Sequence, residues 1–156
     1  MLPLGKMRGL DIEPIRDPSK LEIRQSKTPH LPRLPMRSLF LANSSGGKTT
    51  LIVNLLLNKK LYRGVFSSFY IFSPSVHHDG TWGALKKYCR EELGKPEEEH
   101  FFDEWDASKV QTLVDDAFKV TKFHKENRHQ QGHAILIVCD DFADRPDVVH
   151  SAGGAF

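Results

Sequence analysis

Between residues 36 and 57 the chain changes abruptly from one backbone preference to another, and that change leaves few folds open. Met36 to Ala42 is short and apolar at its centre, as in a buried strand, while Thr50 to Leu57 is apolar at nearly every position except Asn54, as in a helix buried on most sides. The two are joined by Asn43-Ser44-Ser45-Gly46-Gly47-Lys48-Thr49, a stretch of turn formers. A strand that turns through glycines directly into a buried helix implies an α/β architecture, with the helix packed back on a parallel sheet.

The rest of the chain continues the alternation. Gly64 allows a turn before a second strand, Ser68 to Phe72, which Ser73-Pro74 stops. Thr81 can cap a helix carrying Trp82, Leu85, Tyr88, Cys89 and Leu93 at helical spacing, ended by Gly94 and Pro96. Glu91 to Asp106 holds eight carboxylates and one lysine among Phe101, Phe102 and Trp105, and reads as a solvated connection pinned by aromatics. Asp106 or Ser108 can cap a longer helix whose stripe Val110, Leu113, Val114, Ala117, Phe118 and Thr121 is expected in the core. Gly132 resets the chain for Ala134 to Cys139, a continuous apolar run of the kind buried on both faces of a parallel sheet.

Residues 1 to 33 stand apart. Six of the nine prolines fall at or before Pro35, which denies this stretch a continuous helix or central strand, and Lys6 to Arg37 carries eight basic residues against four acidic ones. A solvated extended arm is expected, with contact to a DNA backbone or another subunit as the alternative. Residues 34 to 156 form the expected folded domain. At 39% hydrophobic and 27% charged the composition suits one soluble domain, and a net charge of +2 does not by itself announce nucleic-acid binding. Cys89 and Cys139 are too few and too distant for a disulfide framework and are expected to be buried thiols. No apolar run is long enough for a membrane span or a signal peptide, so an intracellular protein without membrane partners is expected.

Chemistry concentrates at two places. With Ala42 to Thr49 the loop matches the phosphate-loop pattern G-x-x-x-x-G-K-[ST] at every fixed position but the first, in the strand-to-helix setting where such a match has physical meaning. Backbone N–H groups and a helix N-terminus favour anions there, Lys48 can neutralise β and γ phosphates, and the Thr49 hydroxyl can complete a Mg²⁺ shell. Asn43, Ser44, Ser45, Gly46, Gly47, Lys48, Thr49 and Thr50 are therefore the candidate ATP-binding set. Ala42 replaces the first glycine, which is harmless only if its φ is negative, and Ser45 raises the same question. The second place is Cys139-Asp140-Asp141 at the carboxyl end of an apolar strand, where open α/β sheets bind ligands. Asp140 would hold Mg²⁺ with Thr49, and Asp141 could orient or deprotonate an attacking water, so the candidate catalytic residues are Lys48 and Asp141. Among the eight histidines no set has zinc-ligand spacing on one face. Ser73 and Ser75 lie just past a strand end, where a structural and a functional role are equally open.

Leu34 to Leu41, Phe69-Tyr70-Ile71-Phe72-Ser73-Pro74-Ser75 with Asp79-Gly80-Thr81-Trp82, and Leu136 to Asp144 together resemble the poxvirus-type genome-packaging ATPases of large DNA viruses, in the HerA/FtsK superfamily. The resemblance implies a P-loop NTPase three-layer sandwich and an oligomeric motor that hydrolyses ATP, with Mg²⁺, to drive double-stranded DNA into a capsid. It implies a cytoplasmic, nuclear or virion-associated setting. Family loops read more like G-x-S-G-S-G-K-T, from which Ala42, Ser45 and Gly46 depart. The family sheet also continues beyond the acidic strand with a strand between the two motif strands and a later catalytic arginine. The 15 residues after Asp141 are too few for that crossover, so a fragment is expected, with unpaired strand edges and exposed apolar faces. A nucleotide kinase, or a non-catalytic nucleotide-binding remnant, are the alternative functions.

Overall fold

The computed structural model describes residues 21–43, 45–142 and 145. Its elements are α1 (Lys48–Leu57), β1 (Ser68–Phe72), α2 (Gly83–Glu91), β2 (Phe101–Phe102), α3 (Ala107–Glu126) and β3 (Ile135–Cys139), with 3₁₀ turns at Gly80–Trp82 and Glu97–Glu99. The three strands form one parallel sheet in the order β2-β1-β3. It is an α/β fold, as the alternating sequence pattern requires.

β1 is central because it can be buried on both faces. Its residues alternate sides, so Phe69 and Ile71 join one core while Tyr70 and Phe72 face the other. The first core packs α1 (Ile52, Val53, Leu56) and α2 (Leu85, Cys89) with Trp82 over Phe69, Ile71, Phe101 and Val138. The second is smaller, with Phe72, Val110 and Phe142 at its centre. There the Phe72 ring lies 4.9 Å from Phe102 and 5.2 Å from Trp105.

Several expectations need correction. Met36 to Ala42 forms no strand and joins no ladder with β1, β2 or β3; Leu39 and Leu41 are 81% and 84% exposed. An extended apolar segment becomes a strand only where an edge lies alongside to satisfy its backbone, and none of the three strands is its neighbour. The α3 stripe is fully buried only at Val110, with Leu113 packed partly buried beside it, while Phe118 is 69% exposed, because the helix runs on past the small sheet that could have covered it. The acidic connection contains β2, whose two phenylalanines pair with Ile71 and Phe72. Asp79, not Thr81, caps the turn leading to α2, its carboxylate accepting from Thr81 N at 2.8 Å. Cys89 is buried but Cys139 is exposed, since β3 lies at the edge of the sheet.

Of the expected arm, residues 1–20 lie outside the described residues, and the remainder docks on the domain. Glu22 N donates to Gln130 O and Glu22 O accepts from Gly132 N, both at 2.9 Å. Arg24 Nη1 donates to Gly64 O at 2.7 Å, and Tyr62 OH to Pro32 O at 2.8 Å. The segment thus straps the turn after α1 to the loop before β3.

Candidate functional site

The loop before α1 is compact. Gly46 N donates to Asn43 O at 2.9 Å, and a Cβ on Gly46 would lie 2.8 Å from both Ala42 Cβ and Asn43 O, so only glycine fits there. Gly47 has φ 78°, a left-handed conformation that glycine adopts freely. Ser45 has φ 60°, at a cost of about 1 kcal/mol for an L-residue. Ala42 is not among the residues with positive φ, so its Cβ is tolerated in place of the family's glycine. Leu51 N donates to Gly47 O at 2.8 Å, which opens α1 and leaves the amides of its first turn directed along the helix axis toward the loop. Gly47 offers them no side-chain cap. That is the electrostatic setting in which an anion is favoured.

Lys48 curls back over this loop, its Nζ donating to Ala42 O at 3.2 Å and Asn43 O at 3.3 Å. Thr49 reaches the other way: its Oγ1 donates to Asp140 Oδ2 at 2.8 Å. Asp140 is in place because the ladder continues one residue past β3, with Asp140 N donating to Phe72 O at 2.9 Å. The Asp140 side chain is buried, 5% exposed, and burial pushes its carboxyl above the usual carboxylate range. The Thr49 hydroxyl bond and the Lys48 charge oppose that rise, while neighbouring Asp141 adds to it. Asp141 turns the chain away with φ 59° and is exposed.

The fold therefore joins the two ends of the candidate set. Asn43, Lys48, Thr49 and Asp140 are linked by hydrogen bonds, Gly46 and Gly47 shape the loop, Thr50 lies in the first turn of α1, and Asp141 stands at the rim. Ser44 lies outside the described residues, as do Ala143 and Asp144. Sequence reasoning did not anticipate that the carbonyls of Ala42 and Asn43 hold the lysine, since backbone acceptors leave no trace in residue identity.

One hydroxyl and one buried carboxylate 2.8 Å apart do not make a metal cage, and among the described residues no three His, Cys, Asp or Glu are grouped to hold a metal ion. They do fit Mg²⁺ arriving on a triphosphate, because that ion keeps its waters and takes only one or two protein oxygens beside the phosphates. A carboxylate whose burial disfavours its charge is one that a cation would relieve.

Ser73 is fully buried beside the strand end, its Oγ 3.1 Å from Ser75 Oγ, so its hydroxyl is already engaged within the turn. His77 contacts Lys86 Nζ at 3.4 Å, and His78 is exposed. His124 lies between His129 and His133, with ring centroids 4.9 and 6.4 Å away. A concavity of about 430 Å³ opens elsewhere, on the α3 side of the sheet between Tyr70, Lys95, His100 and Lys109. Its lining mixes Lys95 and Lys109 with Glu98 and Glu99, whereas the loop before α1 presents Lys48 and uncapped amides. Comparison of the chain with protein-family models, curated proteins and solved structures gives no match.

Proposed function

We propose that the chain is a P-loop ATPase domain that binds Mg·ATP between the Asn43–Thr50 loop and Asp140, and that its hydrolysis serves a double-stranded DNA-packaging motor built from several copies. The observation that supports this most is the 2.8 Å bond from Thr49 to Asp140, which joins two sequence motifs 91 residues apart at the carboxyl end of a parallel sheet. The packaging role rests on the resemblance of Leu34 to Leu41, Phe69 to Trp82 and Leu136 to Asp144 alone.

On this reading the phosphates displace the Ala42 and Asn43 carbonyls as partners of Lys48, whose ammonium then lies against the β and γ phosphates. Amides of the loop and of the first turn of α1 receive the remaining phosphate oxygens. Thr49 and Asp140 are the residues that would hold Mg²⁺, which when bound would supply charge neutralisation. Asp141, exposed beside Asp140, orients the attacking water and accepts its proton. An arginine from another subunit completes the charge stabilisation needed for full rate.

The test is turnover by wild type, Lys48→Ala and Asp141→Asn with and without double-stranded DNA. DNA-stimulated hydrolysis lost in both variants supports the proposal. Turnover that needs an added phosphate acceptor identifies a kinase instead, and binding without turnover identifies a nucleotide-binding module.

A further inference from the structure

The net charge of +2 hides a segregation of charge along the chain. Glu91 to Asp106 holds eight carboxylates and one lysine, whereas residues 24–37 carry Arg24, Lys27, Arg33 and Arg37 and residues 58–64 carry Lys59, Lys60 and Arg63, with no Asp or Glu in either stretch. The fold lays these two basic stretches on one another. Arg24 Nη1 donates to Gly64 O at 2.7 Å, Thr28 Oγ1 donates to Lys60 O, and Tyr62 OH donates to Pro32 O at 2.8 Å. Each bond joins the strap to the turn after α1, so the backbone at Lys27 and Arg33, next in sequence to two of the bonded residues, lies against the turn that carries Lys59 and Lys60. Arg24, Lys27, Arg33, Lys59 and Lys60 are all exposed, and among the described residues none of the five makes an ion pair. The patch ends at Arg63, whose guanidinium is paired with Glu92. Residues 1–20 carry four basic and three acidic side chains, so their charge does not reverse its sign.

We propose that this patch holds the phosphate backbone of a DNA duplex. The negative end of α1 accounts for lysines at 59 and 60 but not for three further cations laid over them. A duplex presents one negative charge per about 1.7 Å of its axis, and each cation that meets a phosphate releases counterions. A single strand is gripped through rings on which its bases stack, and the only Phe, Tyr or Trp of the two stretches, Tyr62, is buried. Contact to phosphates alone positions a duplex without reading its sequence. That the duplex is DNA rests on the packaging reading; the surface itself uses no residue of the Mg·ATP site, which lies at the other end of α1, roughly 15 Å away along a ten-residue helix.

Fluorescence anisotropy of a labelled mixed-sequence DNA duplex of about 20 base pairs, titrated with the nucleotide-free full chain at several salt concentrations, tests it. Wild type is expected to bind with an affinity that falls steeply with salt. Lys27→Ala/Arg33→Ala on the strap and Lys59→Ala/Lys60→Ala on the turn each remove two cations, so each is expected to flatten the log-log salt slope by about 2 and to weaken binding at least about tenfold at low salt. Lys122→Ala/Lys125→Ala removes the same charge from the exposed end of α3 and is expected to leave the affinity within about twofold of wild type. Acetylation footprinting on wild type is immune to any folding defect of the variants: the duplex protects Lys27, Lys59 and Lys60 and leaves Lys122 and Lys125 reactive. A wild type that binds no duplex removes both this inference and the DNA half of the proposed function, while calorimetry with Mg·ATP judges the other half. Binding that the three double variants weaken equally, or not at all, or a footprint that spares Lys27, Lys59 and Lys60, overturns the patch alone. Preference for a single strand or an RNA duplex overturns the assigned partner.

Discussion

The two faces of the sheet are built to different standards. On one, α1 and α2 with Trp82 enclose Ile71, Leu85 and Cys89 completely. On the other, α3 is the longest helix described, yet it buries only Val110 and leaves Phe118 and Phe123 in solvent. Helix length is therefore no guide to where stability resides, because a helix is held by the apolar area it covers. The better-packed face is also the one that carries α1, and with it Lys48 and Thr49, so the candidate site is mounted on the firmer half of the molecule. α3 is anchored chiefly by its first turns, where Asp106 accepts from Ser108 N at 2.9 Å and Lys109 N at 3.1 Å.

This contrast is breakable by denaturant titration. Trp82→Ala is expected to cost about 3–5 kcal/mol, as a large side chain removed from a closed core does. Val110→Ala, at the fully buried residue of α3, is expected to cost about 2 kcal/mol. Ser45→Gly, which relieves a left-handed serine in the loop, is expected to stabilise the fold by less than about 1 kcal/mol. Phe118→Ser is expected to change stability by less than about 0.5 kcal/mol. Equal losses at Trp82 and Phe118 would show that α3 is as well anchored as α1 and α2.

A pH titration sharpens the same contrast at the site. Burial raises the Asp140 carboxyl in the folded chain above its unfolded value, so folding favours the protonated form. The associated stability is present below the ordinary aspartate pKa and is lost as pH rises through the raised folded value. Asp140→Asn without nucleotide is therefore expected to stabilise the fold at neutral pH, with an advantage that disappears in acid, and to lose Mg·ATP binding. Thermal melts across the acid-to-neutral range check the sign; a variant less stable than wild type at neutral pH contradicts it.

Much of this was legible in the residues. The apolar runs at β1 and β3, the glycines of the loop and the Asp-Asp step carry local signals strong enough to predict elements and to select Lys48, Thr49 and Asp140. What was not legible depends on neighbours. Met36 to Ala42 has a strand's composition, but pairing is a property of two segments, and no described strand lies beside it. Phe118 has a core residue's chemistry, but the sheet ends before it can be covered. β2 was hidden because its two phenylalanines sit among carboxylates, where composition signals solvent and only the register with Ile71 and Phe72 reveals a strand.

Calorimetric titration of Mg·ATP into folded chain tests the central claim most directly, with ATP alone and with Lys48→Ala and Asp140→Asn alongside. The account predicts one saturable site in wild type, affinity reduced at least about a hundredfold by Lys48→Ala, and Mg·ATP binding lost in Asp140→Asn. No heat from well-folded wild type, or undiminished binding in both variants, would contradict it.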